Sequence, residues 1–240
     1  MKIIHDLAKL LTDAADEGTW TYRQPRTQAF CEIGTVLGRD VALPPHFHEE
    51  DQWIYVVAGR RRFVIGDELH EVGKGQWFCV PAGTLHGSLA EEGGVFCINL
   101  YLAPGSYALA DVGRYLEEAC SPELFGGEPV DTLVGESVLP ERLPDFVHPI
   151  FSLDHLSTVE EMAREAGLSR EHFSRAFQKK HRIAPESYKL LLRAIRARQR
   201  LKEGSSIAAA AAEAGFADQS HLGRAFKRFF GITPGRYRRG

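Results

Sequence analysis

The sequence predicts an α+β protein of two domains: an antiparallel β-barrel of the jelly-roll type, followed by an all-α domain with two helix-turn-helix units. Seven short β-rich runs alternate with turn signals between about residues 19 and 102. Two stretches of the C-terminal half repeat each other with a period of 48 to 49 residues. Residues 150–240 hold 18 Lys and Arg against nine Asp and Glu, whereas residues 1–149 hold 11 against 23. This asymmetry indicates a basic domain that faces a polyanion.

Composition excludes several classes of protein. With 240 residues, of which 44% are hydrophobic, the chain can form two packed cores. No apolar run approaches the roughly 18 residues that a membrane span requires. The stretch MKIIHDLAKLLTDAADEG lacks the pattern of a signal sequence. The four cysteines are far apart, and we expect buried free thiols in a cytoplasmic protein without a membrane partner.

The first domain is predicted to cover residues 1–104. Residues 3–16 have apolar residues at helical spacing, so a short amphipathic helix is expected there. Runs such as QWIYVVAG and GVFCINLYLA then alternate with glycine-containing turns. Short strands in this number favour an antiparallel barrel or jelly roll.

Two histidines one residue apart, His46 and His48, precede an apolar strand. Side chains two apart on a strand share a face, so a histidine from a partner strand can complete one side of a metal site. The pattern H-x-H-x3-Q-x6-G over residues 46–59, followed by G-x5-P-x-G-x2-H over residues 75–86, resembles the two cupin motifs. The resemblance implies a divalent metal held by three histidines and a glutamate. The candidate ligands and pocket residues in this chain are His46, His48, Gln52 and His86.

The chain departs from that pattern because Gln52 stands where the family has its glutamate. Three histidines still suit Zn, Fe, Ni or Cu, with the Gln52 amide oxygen as a weak fourth ligand. Alternatively, the histidines line a polar effector pocket or form hydrogen bonds within the barrel, in either case without a metal. The run Arg60-Arg61-Arg62 is predicted to be solvated or to protect a sheet edge, although a carboxylate-bearing effector could contact one of these arginines.

Residues 105–149 are predicted to form a helix and a linker. Apolar residues recur at helical spacing between Leu109 and Ala119, as in a helix that packs on the barrel or on a second subunit. An irregular segment rich in proline and glycine follows it.

Residues 150–240 contain one helix-turn-helix unit twice. In the first copy, a helix from about Val159 to Ala166 ends at Gly167, and Ser169 caps the next helix. In the second copy, Gly215 and Asp218 take these two roles. The inward residues of the second helices are predicted to be Phe173, Ala176 and Phe177 in one copy and Leu222, Ala225 and Phe226 in the other.

A long basic helix, PESYKLLLRAIRARQRLKEG, is predicted to join the units, and Pro185 and Pro234 are predicted to stop the segments after the second helices. Cations attract phosphates and an outward helix face can contact bases, so this domain is predicted to read double-stranded DNA. The stretch AAEAGFADQSHLGRAFKRFFGITPGRYRR resembles the AraC/XylS family of bacterial transcription regulators, and the resemblance extends over nearly all of residues 150–240. It implies two recognition helices in successive major grooves, roughly 34 Å apart.

The resemblance also locates the DNA contacts. Arginine can form two hydrogen bonds with guanine, and glutamine can do the same with adenine, while lysines suit phosphates. Glu171 faces a polyanion unless it accepts from a cytosine amino group, and Gly223 weakens its helix. The candidate contacts are Arg170, Glu171, Ser174, Arg175 and Lys179 in the first unit, and Gln219, Ser220, His221, Arg224 and Lys227 in the second.

The resemblance implies a transcription regulator, not an enzyme, whose DNA binding responds to a small molecule in the barrel. It further implies a homodimer, with RNA polymerase as a candidate partner. Two alternatives stay open: a metal-dependent enzyme tethered to DNA, and a constitutive DNA-binding protein whose barrel only dimerises. Effector identity, operator sequence and the sign of regulation do not follow from the sequence.

Overall fold

A computed structural model describes residues 20–23, 32–105 and 158–239. The predicted helices over residues 3–16 and near Leu109–Ala119, and the linker after them, lie outside the described residues, as do Cys31 and Cys120. The exact domain boundaries and the dimerisation role of residues 105–149 therefore stay predictions.

The N-terminal domain is one curled antiparallel sheet, which confirms the predicted class. Its spatial order is β1-β2-β8-β4-β7-β3, and β5 and β6 also pair with β4. The long β4 joins both parts of the sheet, because its first half pairs with β8 and its second half with β5 and β7. The strands are β1 Trp20–Arg23, β2 Glu32–Gly38, β3 Leu43–His46, β4 Asp51–Ile65, β5 Glu68–Gly73, β6 Trp77–Val80, β7 His86–Ser88 and β8 Val95–Leu102.

Strand β4 corrects two predictions. The run QWIYVVAG was expected to end at Gly59, but the strand continues to Ile65, with a bulge between Val56 and Ala58. Gly59 has φ +75°, and a Cβ there would lie 2.2 Å from the carbonyl oxygen of Gly94, so a side chain cannot fit beside β8. The arginine run lies inside this strand, and Arg61 is only 2% exposed. Arg61 is therefore a core residue, not a solvated charge.

The C-terminal domain confirms both helix-turn-helix units. The predicted caps form, since Ser169 and Asp218 accept from the backbone N–H groups of His172 and His221. Two details were wrong: Pro185 and Pro234 begin helices at the first turn, and Ala176 is exposed. The helices are α1 Val159–Glu165, α2 Arg170–His181, α3 Pro185–Lys202, α4 Ile207–Glu213, α5 Gln219–Phe230 and α6 Pro234–Tyr237. Among these described helices, none is long and apolar enough to cross a membrane.

The two domains share a buried group of charges, called here the interdomain ion cluster: Glu32, Glu50, Arg198, Lys202 and the hydroxyl of Tyr237. The Glu32 carboxylate accepts from Arg198 and from Tyr237, at 2.8 Å in each case. Lys202 pairs with Glu50 and lies 3.2 Å from Glu32. Burial opposes ionisation of Glu50, but the charges of Arg198 and Lys202 outweigh it and lower its pKa to about 2. Because the cluster holds two acids and two bases, its charge is balanced.

Candidate functional site: a three-histidine pocket and two recognition helices

The sheet brings together the three histidines that the sequence singled out. His46 on β3 lies directly opposite His86 on β7, and His48 follows two residues after His46. The ring centroids of His46 and His86 are 4.4 Å apart, and that of His48 lies 5.0 and 5.4 Å from them. One nitrogen from each ring can be chosen so that the three lie within 4.8 Å of one another. All three side chains are buried.

Backbone carbonyls fix the proton position in two of the rings. The Nδ1 atoms of His46 and His86 lie 2.9 and 3.0 Å from the carbonyl oxygens of Pro44 and Thr84. A neutral ring that donates through Nδ1–H keeps the lone pair on Nε2 for a ligand. Such carbonyl contacts are typical of histidines that bind metals.

The rings are held neutral. Burial is the main cause, and it lowers the pKa of His46 and His48 well below the usual value. Burial likewise lowers the pKa of His86 to about 4. At neutral pH the histidines therefore present lone pairs, the form that a metal ion requires.

The residues present fit a divalent metal ion. Both ring nitrogens of His48 and the Oε1 atom of Gln52 are buried without a hydrogen-bond partner among the described residues. Such atoms are rare in folded proteins, because each has given up its hydration. Two nitrogens bound to one ion with bonds of about 2.1 Å can be at most about 4.2 Å apart. The candidate nitrogens lie within 4.8 Å of one another, so small side-chain rotations would bring them to bonding distance from one ion. A bound ion would act there as a Lewis acid that anchors a ligand oxygen.

The same pocket contains polar residues outside the predicted pocket set, among them Arg61, Asn99 and Tyr101. They line it together with His46, Gln52 and His86, around a cavity of about 10 Å³, the size of a single water. The signal for Arg61 was available, since it lies two residues before the buried Phe63 and so shares its face of β4. The rest of the lining is Trp20, Tyr22, Leu43, Phe63 and Ser88.

Tyr101 connects the pocket to the C-terminal domain. Its ring centroid lies 5.0 Å from that of His48, in an edge-on arrangement. The Arg198 guanidinium carbon lies 5.4 Å from the centre of the same ring. One aromatic ring therefore contacts both a candidate ligand and the interdomain ion cluster.

The predicted DNA contacts lie on α2 and α5, the second helices of their units. Gln219, Ser220, Arg224 and Lys227 are exposed, whereas His221 is half-buried with its ring edge-on to Phe216. In the first unit Glu171, Arg175 and Lys179 are exposed and Ser174 is half-buried.

Arg170 is the exception among the candidate contacts. Its Nε lies 2.7 Å from the carboxylate of Glu160, and its Nη2 lies 3.8 Å from that of Glu186. These ion pairs tie the start of α2 to α1 and α3. The geometry thus favours a structural role for this arginine over base reading.

Comparison with known proteins identifies both domains. A helix-turn-helix domain family matches residues 162–240, and a cupin domain family matches residues 35–96. Over 90 residues the chain is 38% identical to the HTH-type transcriptional regulator GbdR of Pseudomonas aeruginosa. This match covers 37% of this chain and 24% of that protein. It is 35% identical over 82 residues to the HTH-type transcriptional regulator Rv1931c of Mycobacterium tuberculosis, covering 34% of this chain and 32% of that one. The chain thus spans about a quarter to a third of the length of these curated relatives.

Among solved structures, the chain is similar to a transcriptional regulator with an AraC-type DNA-binding domain from Chromobacterium violaceum. The two are 31% identical, the match covers 35% of this chain and 75% of that one, and the TM-score is 0.33. The family matches and the repeated unit show a helix-turn-helix domain with a cupin domain ahead of it, and the curated relatives that match the helix-turn-helix domain are named as HTH-type transcriptional regulators.

Proposed function

We propose that the protein is a transcription regulator that binds double-stranded DNA in a sequence-specific way and is not an enzyme. Two units with exposed basic and amide side chains support DNA binding, since such groups contact phosphates and base edges. The curated relatives are named as transcriptional regulators, which supports the same role. A homodimer, a contact with RNA polymerase and a cytoplasmic location belong to this proposal.

The proposed control site is the three-histidine pocket, which binds a small molecule or a metal ion. The observation that carries this proposal is the position of Tyr101 between His48 and Arg198. An occupant that moves the His48 ring also moves Tyr101, and Tyr101 forms one wall around the Arg198 guanidinium. Arg198 lies on α3, the helix that joins the two DNA-binding units.

Thermodynamic linkage makes the proposal quantitative. If an occupant of the pocket changes the affinity for DNA by some factor, DNA changes the affinity for that occupant by the same factor. Coupling free energies of this kind are typically about 1–3 kcal/mol, which corresponds to about 5- to 150-fold in affinity. A metal ion need not react with anything in this scheme; it only has to bind one arrangement of the domains better than the other.

The test begins with selection of a bound sequence from random double-stranded DNA by the purified full chain. DNA affinity is then measured for metal-free protein, for protein loaded with Zn²⁺, Ni²⁺, Cu²⁺ or Fe²⁺, and with metabolite fractions. We expect at least one addition to shift the affinity by fivefold or more. The double variant His46→Ala/His86→Ala should still bind the selected DNA and should lose that response. A double variant that responds normally would place the control site elsewhere.

The remaining outcomes separate the alternatives. Turnover of any substrate that is lost in His46→Ala would favour the tethered enzyme. DNA affinity that no metal, chelator or metabolite changes would favour a constitutive regulator. DNA affinity should also fall steeply with salt, because phosphate binding releases counterions; a flat salt response would contradict the DNA-binding proposal itself.

A further inference from the structure

The buried guanidinium of Arg61 is the least expected group in the sensor domain. It is 2% exposed and donates to the carbonyl oxygens of Val41, at 2.8 Å, and of Leu89, at 3.3 Å. Its guanidinium carbon also lies 5.5 and 5.4 Å from the ring centres of Trp20 and Phe63. Carbonyl dipoles and aromatic faces orient a cation, but they do not cancel its charge.

No carboxylate among the described residues pairs with Arg61. The nearby buried carboxylate of Glu91 is used by its neighbours on the strand, at 3.1 Å from Arg62 and 3.6 Å from Arg60. The described residues that line the pocket include no aspartate or glutamate. Burial is the main influence on Arg61 and lowers its pKa, and nearby groups, including the carboxylate of Glu91, oppose that shift without cancelling it.

The pocket offers no side-chain anion among its described lining to offset the charge of Arg61. Gln52 is an uncharged amide at the position where the cupin motif that this sequence resembles carries a glutamate. With a divalent ion bound, the pocket would hold three positive charges and no side-chain anion among its described lining. The interdomain ion cluster, by contrast, has two acids for two bases. An uncompensated buried charge is costly, so a ligand that brings a negative charge into this pocket would be stabilised there.

We propose that the effector is an oxyanion of the carboxylate class, held by the Arg61 guanidinium beside the three-histidine site. The planar fork of guanidinium N–H donors suits a carboxylate. Gln52, whose Oε1 has no hydrogen-bond partner among the described residues, lines the same cavity as Arg61. His48, whose ring nitrogens are also unpartnered among those residues, lies beside His46 and His86. The cavity of about 10 Å³ has room for one carboxylate oxygen, so the rest of the carboxylate enters only if the lining side chains rotate aside, and any longer part lies outside. This inference rests on the proposed control site in the barrel.

The test uses isothermal titration of the full chain without DNA, both metal-free and Zn²⁺-loaded, at constant ionic strength. The probes are sodium formate and acetate, with acetamide as the neutral analogue of acetate. We expect acetate to bind at least tenfold more tightly than acetamide. Two results would overturn the proposal. One is equal binding of acetate and acetamide; the other is that neither formate nor acetate binds to the metal-free or to the Zn²⁺-loaded protein. A series from formate to hexanoate separates two sources: affinity that rises with length indicates the carboxylate end of a larger molecule, and affinity greatest for formate indicates a small free oxyanion.

Three variants locate the site. Arg61→Met should abolish carboxylate binding, whereas Arg60→Met, on the same strand but half-exposed, should leave it unchanged. Gln52→Glu is nearly isosteric and supplies the missing negative charge, so it should weaken acetate binding at least tenfold while the protein stays folded. If Arg61→Met fails to fold, Gln52→Glu decides: acetate affinity equal to that of the parent would overturn the inference.

The two proposals can fail separately. Carboxylate binding is measured without DNA, so its absence leaves DNA binding and a response to metals intact. Failure of the chain to select any DNA would instead remove the regulator proposal, whatever the titrations show.

Discussion

The two helix-turn-helix units are repeats in sequence, yet they join the sensor domain in different ways. Arg182 and Gly231 occupy the same position after the R-A-F helices α2 and α5, and both have left-handed backbone, with φ 58° and 73°. At Gly231 the Trp20 ring lies 2.5 Å from where a Cβ would be, so the second unit is pressed against β1. At Arg182 the side chain instead reaches outward and pairs with Asp67.

The two recognition helices also differ in how many residues they bury. Helix α5 packs on β3 and buries five residues, whereas α2 buries only Phe173 and Phe177. A cleft of about 240 Å³ lies between the end of α2 and the sheet. The tyrosine of β1, Tyr22, also donates to the carbonyl oxygen of Phe230, at 3.1 Å. The second unit is therefore fixed to the sensor by a tight apolar contact, while the end of α2 meets the sheet through the exposed ion pair of Arg182 and Asp67.

The largest effect is expected where the interdomain ion cluster fixes the second unit. Glu32→Gln removes the charge that compensates Arg198, and loss of one partner of a buried pair costs about 3–5 kcal/mol. The first unit offers the matched control Asp67→Asn, in a pair whose side chains are 75% and 49% exposed. Loss of that pair should cost roughly 0–1 kcal/mol, because solvent screens it.

Urea denaturation of the full chain measures both variants. Thermal unfolding followed by tryptophan fluorescence, which reports on Trp20, Trp53 and Trp77 of the sensor, shows whether that domain is lost together with the rest of the chain or separately. Equal destabilisation by Glu32→Gln and Asp67→Asn would contradict the difference between the two contacts.

Glycine caps provide the second test. Gly231→Ala places a Cβ against the Trp20 ring and also strains a left-handed residue, so it should destabilise the fold by about 2–4 kcal/mol. Gly167→Ala is the control, because φ there is +67° but a Cβ meets nothing within 4 Å. It should cost only about 1–2 kcal/mol. Urea denaturation gives the free energy of unfolding of both variants. A similar loss of stability in the two would mean that the Trp20 ring can move aside without cost.

Local pattern was sufficient to predict the helical domain and the histidine site. Each unit there is specified by neighbours in the sequence, such as the capping box of Thr158 and Glu161. The histidines were predictable because strand alternation and motif spacing put them on one face. Spacing also gave the exposed face of α5.

The missed features depend on contacts between distant segments. Arg61 was assigned to solvent because an arginine run is usually a surface feature. The carbonyl groups that hold its buried guanidinium, those of Val41 and Leu89, are distant in sequence. Glu32 and Arg198 are 166 residues apart, so their pair left no local signal. The start of helices at Pro185 and Pro234 was missed because proline both stops a preceding helix and suits the first turn of the next.

DNA affinity tests whether the two units contribute alike. Arg224→Ala, on the fixed unit, should weaken binding by about 1–3 kcal/mol if the arginine contacts a base. Arg175→Ala, its counterpart in the repeat, should weaken binding in the same range. Arg170→Ala is the arginine control, because its side chain is already engaged by Glu160 and Glu186, and its effect should stay within about 0.5 kcal/mol. Fluorescence anisotropy with the selected DNA gives the three affinities; a large loss for Arg170→Ala would restore it as a contact.

The smallest effect is expected at Gly223, inside the recognition helix of the second unit. Its counterpart in the first unit is Ser174, so the repeat already accepts a side chain at this position. A Cβ at Gly223 would meet nothing within 4 Å, and alanine should therefore stabilise the fold by about 0.5–1 kcal/mol through better helix propensity. Thermal unfolding measures the gain, and anisotropy with DNA measures its consequence. Unchanged or lower stability would contradict the open space around this residue. A gain in stability together with a loss of DNA affinity would show that the α5 backbone approaches the DNA closely.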